Sequence, residues 1–206
     1  MKICVLGDKA YYKRILPDNT RVDSPDVVFL GRGATNDEVV AAMPDTQILI
    51  ADAIATVDAD LISRLPQLRL IQSEGVSYNS FDCACAAEHS VFVCNNAGMN
   101  SGAVAEQTIL LMLGLLRSVA TSDAAVRLGR QMEVKMRFMR EGITDLADCT
   151  VGLVGMGAIG QATAARLHAF GCRVLYANRS RKPAELEGPW TSNTWGSTSC
   201  SQRATS

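Results

Sequence analysis

The sequence predicts an α/β protein built on parallel sheets, and two observations support this. Through residues 1–98, short and continuously apolar strands alternate with segments of helical spacing. Continuous apolar strands that alternate with helices are typical of a parallel sheet covered on both faces. Further along, a glycine-rich turn joins another apolar strand to another helix, which repeats the same strand–helix order.

The first half contains five predicted strands and three predicted helices. The strands share an apolar composition and span residues 2–7, 27–30, 47–51, 70–72 and 91–94. The helices show 3.6-residue spacing and span residues 37–43, 58–65 and 81–88. Thr35 or Asn36 is expected to cap the first helix, because Thr and Asn are favoured caps and acidic residues follow in its first turn.

The second half begins with a predicted long helix over residues 101–120, with Ser101 as its N-cap. It is apolar on nearly every side, so we expect it to be buried between layers or domains. Residues 123–140 predict a charged surface helix. A strand at 150–154, a helix at 158–170 ended by Gly171 and a strand at 172–177 follow. Half of the last 18 residues are Ser or Thr, and we expect disorder over 189–206.

Composition excludes several classes of protein. Lys and Arg number 20 and Asp and Glu number 21, so the net charge is -1 and no basic footprint for a nucleic acid exists. The longest apolar run, 109–116, is shorter than the roughly 20 residues of a membrane helix. The N-terminus turns polar at Asp8, which is unlike a secretory signal. We therefore expect a cytoplasmic protein with neither membrane nor nucleic-acid partners.

The cysteines are expected to be buried, reduced thiols. There are seven, an odd number, without a CxxC pair, and most lie in apolar stretches. One neighbouring histidine, His89, does not complete a zinc site with Cys83 and Cys85, so we expect no metal. The positions are Cys4, Cys83, Cys85, Cys94, Cys149, Cys172 and Cys200.

A glycine motif indicates a dinucleotide site. Gly155, Gly157 and Gly160 follow the GxGxxG pattern between a strand and a helix, which is the context that this motif requires. The first glycine permits the tight turn, the second the close approach of the pyrophosphate, and the third close packing of helix on strand. Ala158 and Ile159 complete the turn, whose helix N-terminus favours phosphate. The alternative is a glycine-rich turn without a ligand.

The next strand predicts which cofactor binds. An NAD site places Asp or Glu at this strand end, whereas an NADP site replaces the acid and adds Arg. Here Asn178, Arg179, Ser180, Arg181 and Lys182 follow the strand, and no carboxylate occurs before residue 185. The loop therefore favours NADP over NAD, the alternative being a solvated basic turn.

Three segments of residues 1–188 resemble the D-isomer-specific 2-hydroxyacid dehydrogenase family. They are SEGVSYNSFD at 73–82, NNAGMNSGAVAEQ at 95–107 and TVGLVGMGAIG at 150–160. The Tyr-Ala-Asn-Arg-Ser loop at 176–180 further resembles the NADP-preferring glyoxylate/hydroxypyruvate reductase branch. Ser77, Gln107 and Ala97 depart from the family's usual Gly, His and Pro.

The resemblance implies a flavodoxin-like substrate domain at 1–98, the N-terminal part of a Rossmann domain at 99–188, and an aberrant tail at 189–206. It implies an oxidoreductase that reduces a small 2-keto acid, and usually a homodimer in which the helix at 101–120 takes part. Backbone N–H groups of Glu74, Gly75 and Val76 would hold the substrate carboxylate. The family's catalytic Arg, Glu and His would lie beyond this chain.

The tail suggests a frameshift. Residues 198–206 can be encoded so that the neighbouring frame reads Asp-Glu-Leu-Leu-Ala-Ala-Ser-Asp-Val, which resembles the family's next segment. We therefore expect a prematurely ended, inactive dehydrogenase in which neither His89 nor His168 is catalytic. A non-catalytic nucleotide-binding fragment or pseudo-enzyme is the alternative, and a redox-sensing corepressor is a third reading without a partner-binding signature.

Overall fold

The computed structural model of the protein describes residues 1–180, 182–183 and the backbone of 191–193. The chain divides into two compact units, of which the first is Met1–Met99 and the second begins at Asn100. Each unit contains a parallel sheet with helices, so the predicted α/β class is confirmed.

The first unit has a five-stranded parallel sheet in the order β2-β1-β3-β4-β5. Its register pairs Ile3 with both Val27 and Ile48. The strands are β1 (Ile3–Leu6), β2 (Val27–Leu30), β3 (Ile48–Ala51), β4 (Leu70–Ser73) and β5 (Phe92–Cys94), and the helices are α1 (Lys9–Ile15), α2 (Asn36–Ala42), α3 (Ala59–Ser63) and α4 (Cys83–Glu88). The five predicted strands and three predicted helices are confirmed with small shifts at their ends.

Apolar side chains of the central strands form the core of this unit. Cys4, Leu49 and Ile71 are fully buried at equivalent places on β1, β3 and β4. Burying one such side chain contributes about 1.5–3 kcal/mol, which explains why the apolar pattern locates the strands. Helix α1 was not predicted. The Asp8 side chain caps it by accepting a hydrogen bond from the Ala10 N–H.

The second unit has a three-stranded parallel sheet in the order β6-β7-β8. Its core contains Ile109, Met156, Leu167, Val174 and Tyr176. Its elements are α5 (Ser101–Leu116), α6 (Val119–Arg127), α7 (Gln131–Glu141), a short 3-10 helix (Leu146–Asp148), β6 (Thr150–Val154), α8 (Ala158–Ala169), β7 (Arg173–Ala177) and β8 (Thr191–Asn193).

The prediction of two helices over 101–120 and 123–140 is wrong, because three helices occupy this stretch. Helix α5 ends at Leu116, and Ser118 adopts a left-handed conformation with φ of 48°. Gly129, with φ of 73°, lies in the second break. Asn100, rather than Ser101, is the N-cap of α5. Left-handed residues stop a helix because they turn the chain out of the α region.

The expected burial of the long helix is also wrong within this chain. Only Ala105 and Ile109 of α5 are buried. Leu110 and Leu111 are exposed, and Leu115 is 81% exposed. An apolar sequence on all sides predicts that a helix is covered, but it does not say that the same chain covers it.

Residues 191–193 correct part of the predicted disordered tail. They form β8, which runs parallel to β7 with Thr191 opposite Val174. The rest of the predicted tail, 189–190 and 194–206, lies outside the described residues.

Within the part of the chain that the structure describes, no single helix is long and apolar enough to cross a membrane. Helices α5 and α6, bent by 60°, satisfy the length and composition criteria only as a pair.

Candidate functional site

The turn from β6 to α8 is shaped by two of its three glycines. Gly155 has φ of +102°, a conformation that L side chains rarely adopt, and its N–H donates to the Ala177 carbonyl at 2.8 Å. A Cβ on Gly160 would lie 2.2 Å from the Gly155 carbonyl oxygen, so only glycine lets the helix approach this closely. A Cβ on Gly157 would meet nothing within 4 Å.

The amino end of α8 is therefore open at Gly157 and supports phosphate binding. Gly157 is the N-cap, and no side chain makes a capping hydrogen bond there. The first N–H groups of a helix lack intrahelical partners, and Ala158 and Ile159 lie in this first turn. Together with the positive end of the helix dipole, these N–H groups suit the pyrophosphate of a dinucleotide. The residues present thus fit the cofactor that the glycine motif predicts.

Asn178 links the end of β7 to the glycine turn. Its Oδ1 accepts a hydrogen bond from the Met156 N–H at 3.4 Å, and its Nδ2 donates to the Ser180 carbonyl at 2.9 Å. Arg179 and Ser180 are exposed beside it. The sequence predicted the absence of an acid here but not this bridge, because residues 22 positions apart meet only through parallel pairing of β6 with β7.

Two further hydrogen bonds anchor this unit. The Gln161 Nε2 donates to the Met156 carbonyl at 3.2 Å, and Met156 is buried beneath the turn. The Lys182 N–H donates to the buried Tyr176 hydroxyl at 3.3 Å, which holds the chain after β7. Arg181, predicted as a third cation, lies outside the described residues.

The loop after β4 contains the three residues whose backbone N–H groups are predicted to contact the substrate, Glu74, Gly75 and Val76. The Glu74 N–H donates to the Ala51 carbonyl at 2.8 Å, and the Gly75 N–H donates to the Ser73 hydroxyl at 3.2 Å. Both N–H groups therefore have acceptors within the first unit, one at the end of β3 and one at the end of β4. The Val76 N–H finds no acceptor among the described residues.

The loop is held firmly by its neighbours. The buried Ser73 hydroxyl donates to the Ser77 carbonyl at 2.7 Å. Asn96 Nδ2 donates to the Glu74 carbonyl at 2.9 Å, and Asn95 Nδ2 donates to the Val76 carbonyl at 2.6 Å. These contacts fix the backbone on both sides of the Val76 N–H.

A cavity of about 400 Å³, lined by both polar and apolar side chains, lies at the carboxyl ends of the first unit's strands. Ligands of open α/β sheets bind at this edge. Tyr12 donates a short hydrogen bond to Glu74 Oε1, and Arg32 lies near both Asp52 and Glu74. Burial is the main cause that raises the pKa of Tyr12, and the hydrogen bond to Glu74 is the second. Sequence reasoning missed Tyr12, Arg32 and Asp52, although residues just after strands could have been searched.

Neither histidine lies in these two sites. His89 Nδ1 is 2.9 Å from the Cys85 carbonyl at the end of α4. His168 lies in the last turn of α8, opposite the end that carries Gly157. Across the described residues no group of three or more His, Cys, Asp or Glu side chains could hold a metal ion.

The cysteine expectation is correct for only some positions. Cys4, Cys85 and Cys172 are buried, and burial raises the pKa of each thiol. Cys83 and Cys94 are exposed, against expectation, because the edge of β5 and the first turn of α4 are not covered. Cys149 is partly buried, and Cys200 lies outside the described residues.

Comparison with known proteins identifies the family. The sequence model of the D-isomer specific 2-hydroxyacid dehydrogenase catalytic domain matches residues 6–204. The chain belongs to the D-isomer specific 2-hydroxyacid dehydrogenase family. These enzymes are NAD(P)-linked oxidoreductases that act on CH–OH donors. The resemblance of the three sequence segments is thereby confirmed.

Curated relatives in this family carry different names. Glyoxylate reductase of Aeropyrum pernix is 36% identical over 140 residues, which cover 64% of this chain and 42% of that protein. D-3-phosphoglycerate dehydrogenase of Mycobacterium leprae is 33% identical over 143 residues, which cover 69% of this chain and 26% of that protein. The chain thus spans less than half the length of these relatives.

Solved structures agree with the fold. A 2-hydroxyacid dehydrogenase from Ketogulonicigenium vulgare has a TM-score of 0.78 at 20% identity, covering 98% of this chain and 61% of that one. The D-lactate dehydrogenase of Aquifex aeolicus, solved with NAD and lactic acid, has a TM-score of 0.72 at 18% identity, covering 94% and 56%. At these identities the likeness establishes the fold alone.

Proposed function

We propose that this chain binds NADPH through the β6–α8 turn, and that the bound nucleotide is used to reduce a 2-keto acid such as glyoxylate or hydroxypyruvate. The observation that carries the proposal is the turn itself. Gly160 allows α8 to touch the Gly155 carbonyl, while the space beside Gly157 is open. The bound nucleotide supplies a hydride for the keto carbon. The chain's own residues hold the pyrophosphate and place the substrate carboxylate.

The preference for NADPH over NADH rests on the loop after β7. Asp at the position of Asn178 would repel a 2′-phosphate, whereas the neutral amide does not. The amide is also occupied, because it joins the Met156 N–H to the Ser180 carbonyl. Arg179 is exposed and follows Asn178 directly in the sequence. Its guanidinium group can donate two parallel, charge-assisted hydrogen bonds to a phosphate.

Titration of the 206-residue chain with NADPH and NADH tests this preference. The NADPH affinity should be the higher, and Arg179→Ala should weaken NADPH binding by about tenfold to a hundredfold, as for a charged hydrogen bond of about 1.5–3 kcal/mol. Arg173→Ala is the matched control, since Arg173 is exposed at the opposite end of β7. Equal affinity of the unaltered chain for the two nucleotides would contradict the proposal.

For the substrate we propose that the Val76 N–H binds the carboxylate. The carbonyls and amides around it are fixed by Asn95 and Asn96, so the donor is held in one orientation. A preorganised backbone donor stabilises an anion without reorganisation. Addition of glyoxylate should shift the Val76 amide resonance in an NMR titration, whereas the internally bonded Glu74 and Gly75 amides should move less.

The positions of the histidines favour a second candidate, nucleotide binding without turnover by this chain. Proton donation to the keto oxygen needs an acid within reach, and loss of such help costs about 10²–10⁴-fold in rate. His89 is bonded at the end of α4, and His168 lies at the far end of α8 from the glycine turn. We expect no NADPH oxidation with glyoxylate or hydroxypyruvate. Turnover that disappears in His89→Gln would refute this.

We further propose a homodimer through α5 and α7. Leu111 and Leu115 are exposed on α5, and Met136 is exposed on α7. Leu115→Asp should convert the dimer to a monomer in sedimentation velocity, whereas Ile54→Asp, at an exposed apolar residue of the first unit, should not.

A further inference from the structure

Two cysteines lie directly before the paired strands β6 and β7 of the second unit. The first residues of these strands, Thr150 and Arg173, are opposite each other in the parallel register. Cys149 and Cys172 each precede one of them, so they lie opposite each other at the amino ends of the two strands. The glycine turn lies at the other end of β6, and the proposed nucleotide site therefore gives these cysteines no role.

The two cysteine side chains point to the same face of the sheet. Successive side chains of a strand alternate between the two faces. The apolar core of the second unit takes every second residue along both strands, namely Cys149, Val151, Leu153, Cys172, Val174 and Tyr176. Leu175 and Ala177, at alternate positions of β7, form a separate cluster. Cys149 and Cys172 are therefore the first members of two neighbouring columns of side chains.

The contacts of the two thiols bring them to one place at the edge of this core. The Cys149 thiol donates to the Asp145 carbonyl at 3.4 Å, and the Cys172 thiol donates to the Leu146 carbonyl at 2.8 Å. These two carbonyl groups are consecutive in the chain. Burial raises the pKa of the Cys172 thiol, and the charge that Cys149 would carry as a thiolate raises it further. Each thiol thus lies within the electrostatic reach of the other.

This spacing fits a disulfide bond. Neighbouring strands lie about 4.7–4.9 Å apart, and a disulfide joins residues whose Cα atoms are about 4.4–6.8 Å apart. The other described cysteines are arranged differently. Cys83 and Cys85 are two positions apart on one helix, where side chains do not face each other. Cys4 lies on β1 and Cys94 on β5, and two strands separate them.

We propose that Cys149 and Cys172 form a reversible redox site, which a small-molecule disulfide such as oxidised glutathione converts to an intramolecular disulfide. Cys149 is partly buried and Cys172 is buried, so Cys149 meets the oxidant first. The Cys149 thiolate attacks one sulfur of oxidised glutathione, and the first glutathione leaves as its thiolate. Cys172 then gives its proton to water, attacks the Cys149 sulfur and releases the second glutathione. The cysteine pair is oxidised, and the glutathione disulfide is reduced to its two thiols.

The bond stabilises the second unit without occupying the nucleotide site. It closes a loop over 149–172, which contains β6, the glycine turn and α8. Closing a loop of roughly 20 residues restricts the unfolded chain, and this restriction favours the folded state. Because the bond lies at the amino ends of the strands, the glycine turn at their carboxyl ends stays open. Oxidation therefore strengthens the part of the chain that holds this turn.

Peptide mapping of the 206-residue chain after equilibration with oxidised glutathione tests the proposal. Trypsin cuts after arginine and places the two cysteines on separate peptides, 141–166 and 167–173. With free thiols blocked before digestion, the oxidised chain should yield these two peptides linked to each other. Dithiothreitol should separate them. Absence of the linked pair from the folded, glutathione-treated chain would overturn the inference.

Variants separate the roles of the two thiols. Cys149→Ser should abolish the linked pair. Cys172→Ser should retain one glutathione on Cys149, because the thiol that displaces it is absent. Cys83→Ser is the matched control, since it removes an exposed thiol of the first unit, and it should leave the linked pair unchanged. Loss of the pair in Cys83→Ser, or its persistence in Cys149→Ser, would contradict the assignment.

Hydrogen–deuterium exchange at increasing urea concentrations measures the effect on stability. Peptides that cover β6 and β7 report on the second unit by itself. In the oxidised chain these peptides should require about 1 M more urea to reach the same exchange, and the Cys149→Ser chain should show no such shift. An equal urea dependence of the oxidised and reduced chains would refute the stabilising role. The experiment uses neither nucleotide nor keto acid, so its outcome is independent of the proposed function.

Discussion

Replacing Gly160 with alanine should destabilise the second unit and weaken nucleotide binding together. The added Cβ would lie 2.2 Å from the Gly155 carbonyl oxygen, whereas ordinary contact begins at 3.4 Å. The turn must therefore shift by about 1.2 Å, and its backbone is tied to Ala177 and Asn178. Overpacking of this kind costs about 1–3 kcal/mol. The better helix propensity of alanine offsets at most about 1 kcal/mol.

Urea unfolding followed by circular dichroism measures the loss, which we expect to be about 1–2 kcal/mol. Gly157→Ser is the matched variant, because its Cβ meets nothing within 4 Å and Ser is a favoured N-cap. It should retain the stability of the unaltered chain yet weaken NADPH binding more than tenfold. If Gly160→Ala unfolds at the unaltered urea concentration and binds NADPH normally, the close approach of α8 to the turn does not exist.

Three other changes probe the remaining framework. Thr35→Ala should cost about 1 kcal/mol in urea unfolding, because it removes the Thr35 side of the capping box with Glu38; an unchanged midpoint would exclude that box. Gly114→Ala should raise stability by about 0.5–1 kcal/mol, since its Cβ meets nothing within 4 Å in the middle of α5; a loss would mean that this position is covered. A thiol reagent at pH 8 should modify Cys83 before Cys4, because burial raises the pKa of the Cys4 thiol from 9.0 to about 11. Between these two pKa values the native Cys4 thiol keeps a proton that the unfolded chain releases. The contribution of Cys4 to the free energy of unfolding is therefore complete below pH 9 and falls as the pH rises to about 11. Equal labelling of both thiols, or a free energy of unfolding that stays constant over that range, would contradict the burial of Cys4.

The sequence alone determined the elements whose signal is local. The central strands were predictable because both faces of a parallel sheet are covered, which requires runs such as residues 48–51 to be continuously apolar. The tight turn at Gly155 and the close packing at Gly160 were predictable because each position requires glycine. Position 155 needs a positive φ, and position 160 has no room for a Cβ. The three family segments were recognisable for the same reason, since each preserves residue types in a fixed order.

Tertiary structure alone decided the features that depend on distant parts of the chain. Ser118 adopts a left-handed conformation that a serine in the sequence does not predict. This residue ends the predicted long helix early. Tyr12, Arg32 and Glu74 are far apart in sequence, yet they share one cavity because parallel strands bring their carboxyl ends to a single edge. The N–H groups of Glu74 and Gly75 donate to the Ala51 carbonyl and the Ser73 hydroxyl, contacts that depend on how β3 and β4 pair. Residue type determines which backbone conformations a position can adopt, whereas strand pairing determines which distant side chains and backbone groups come into contact.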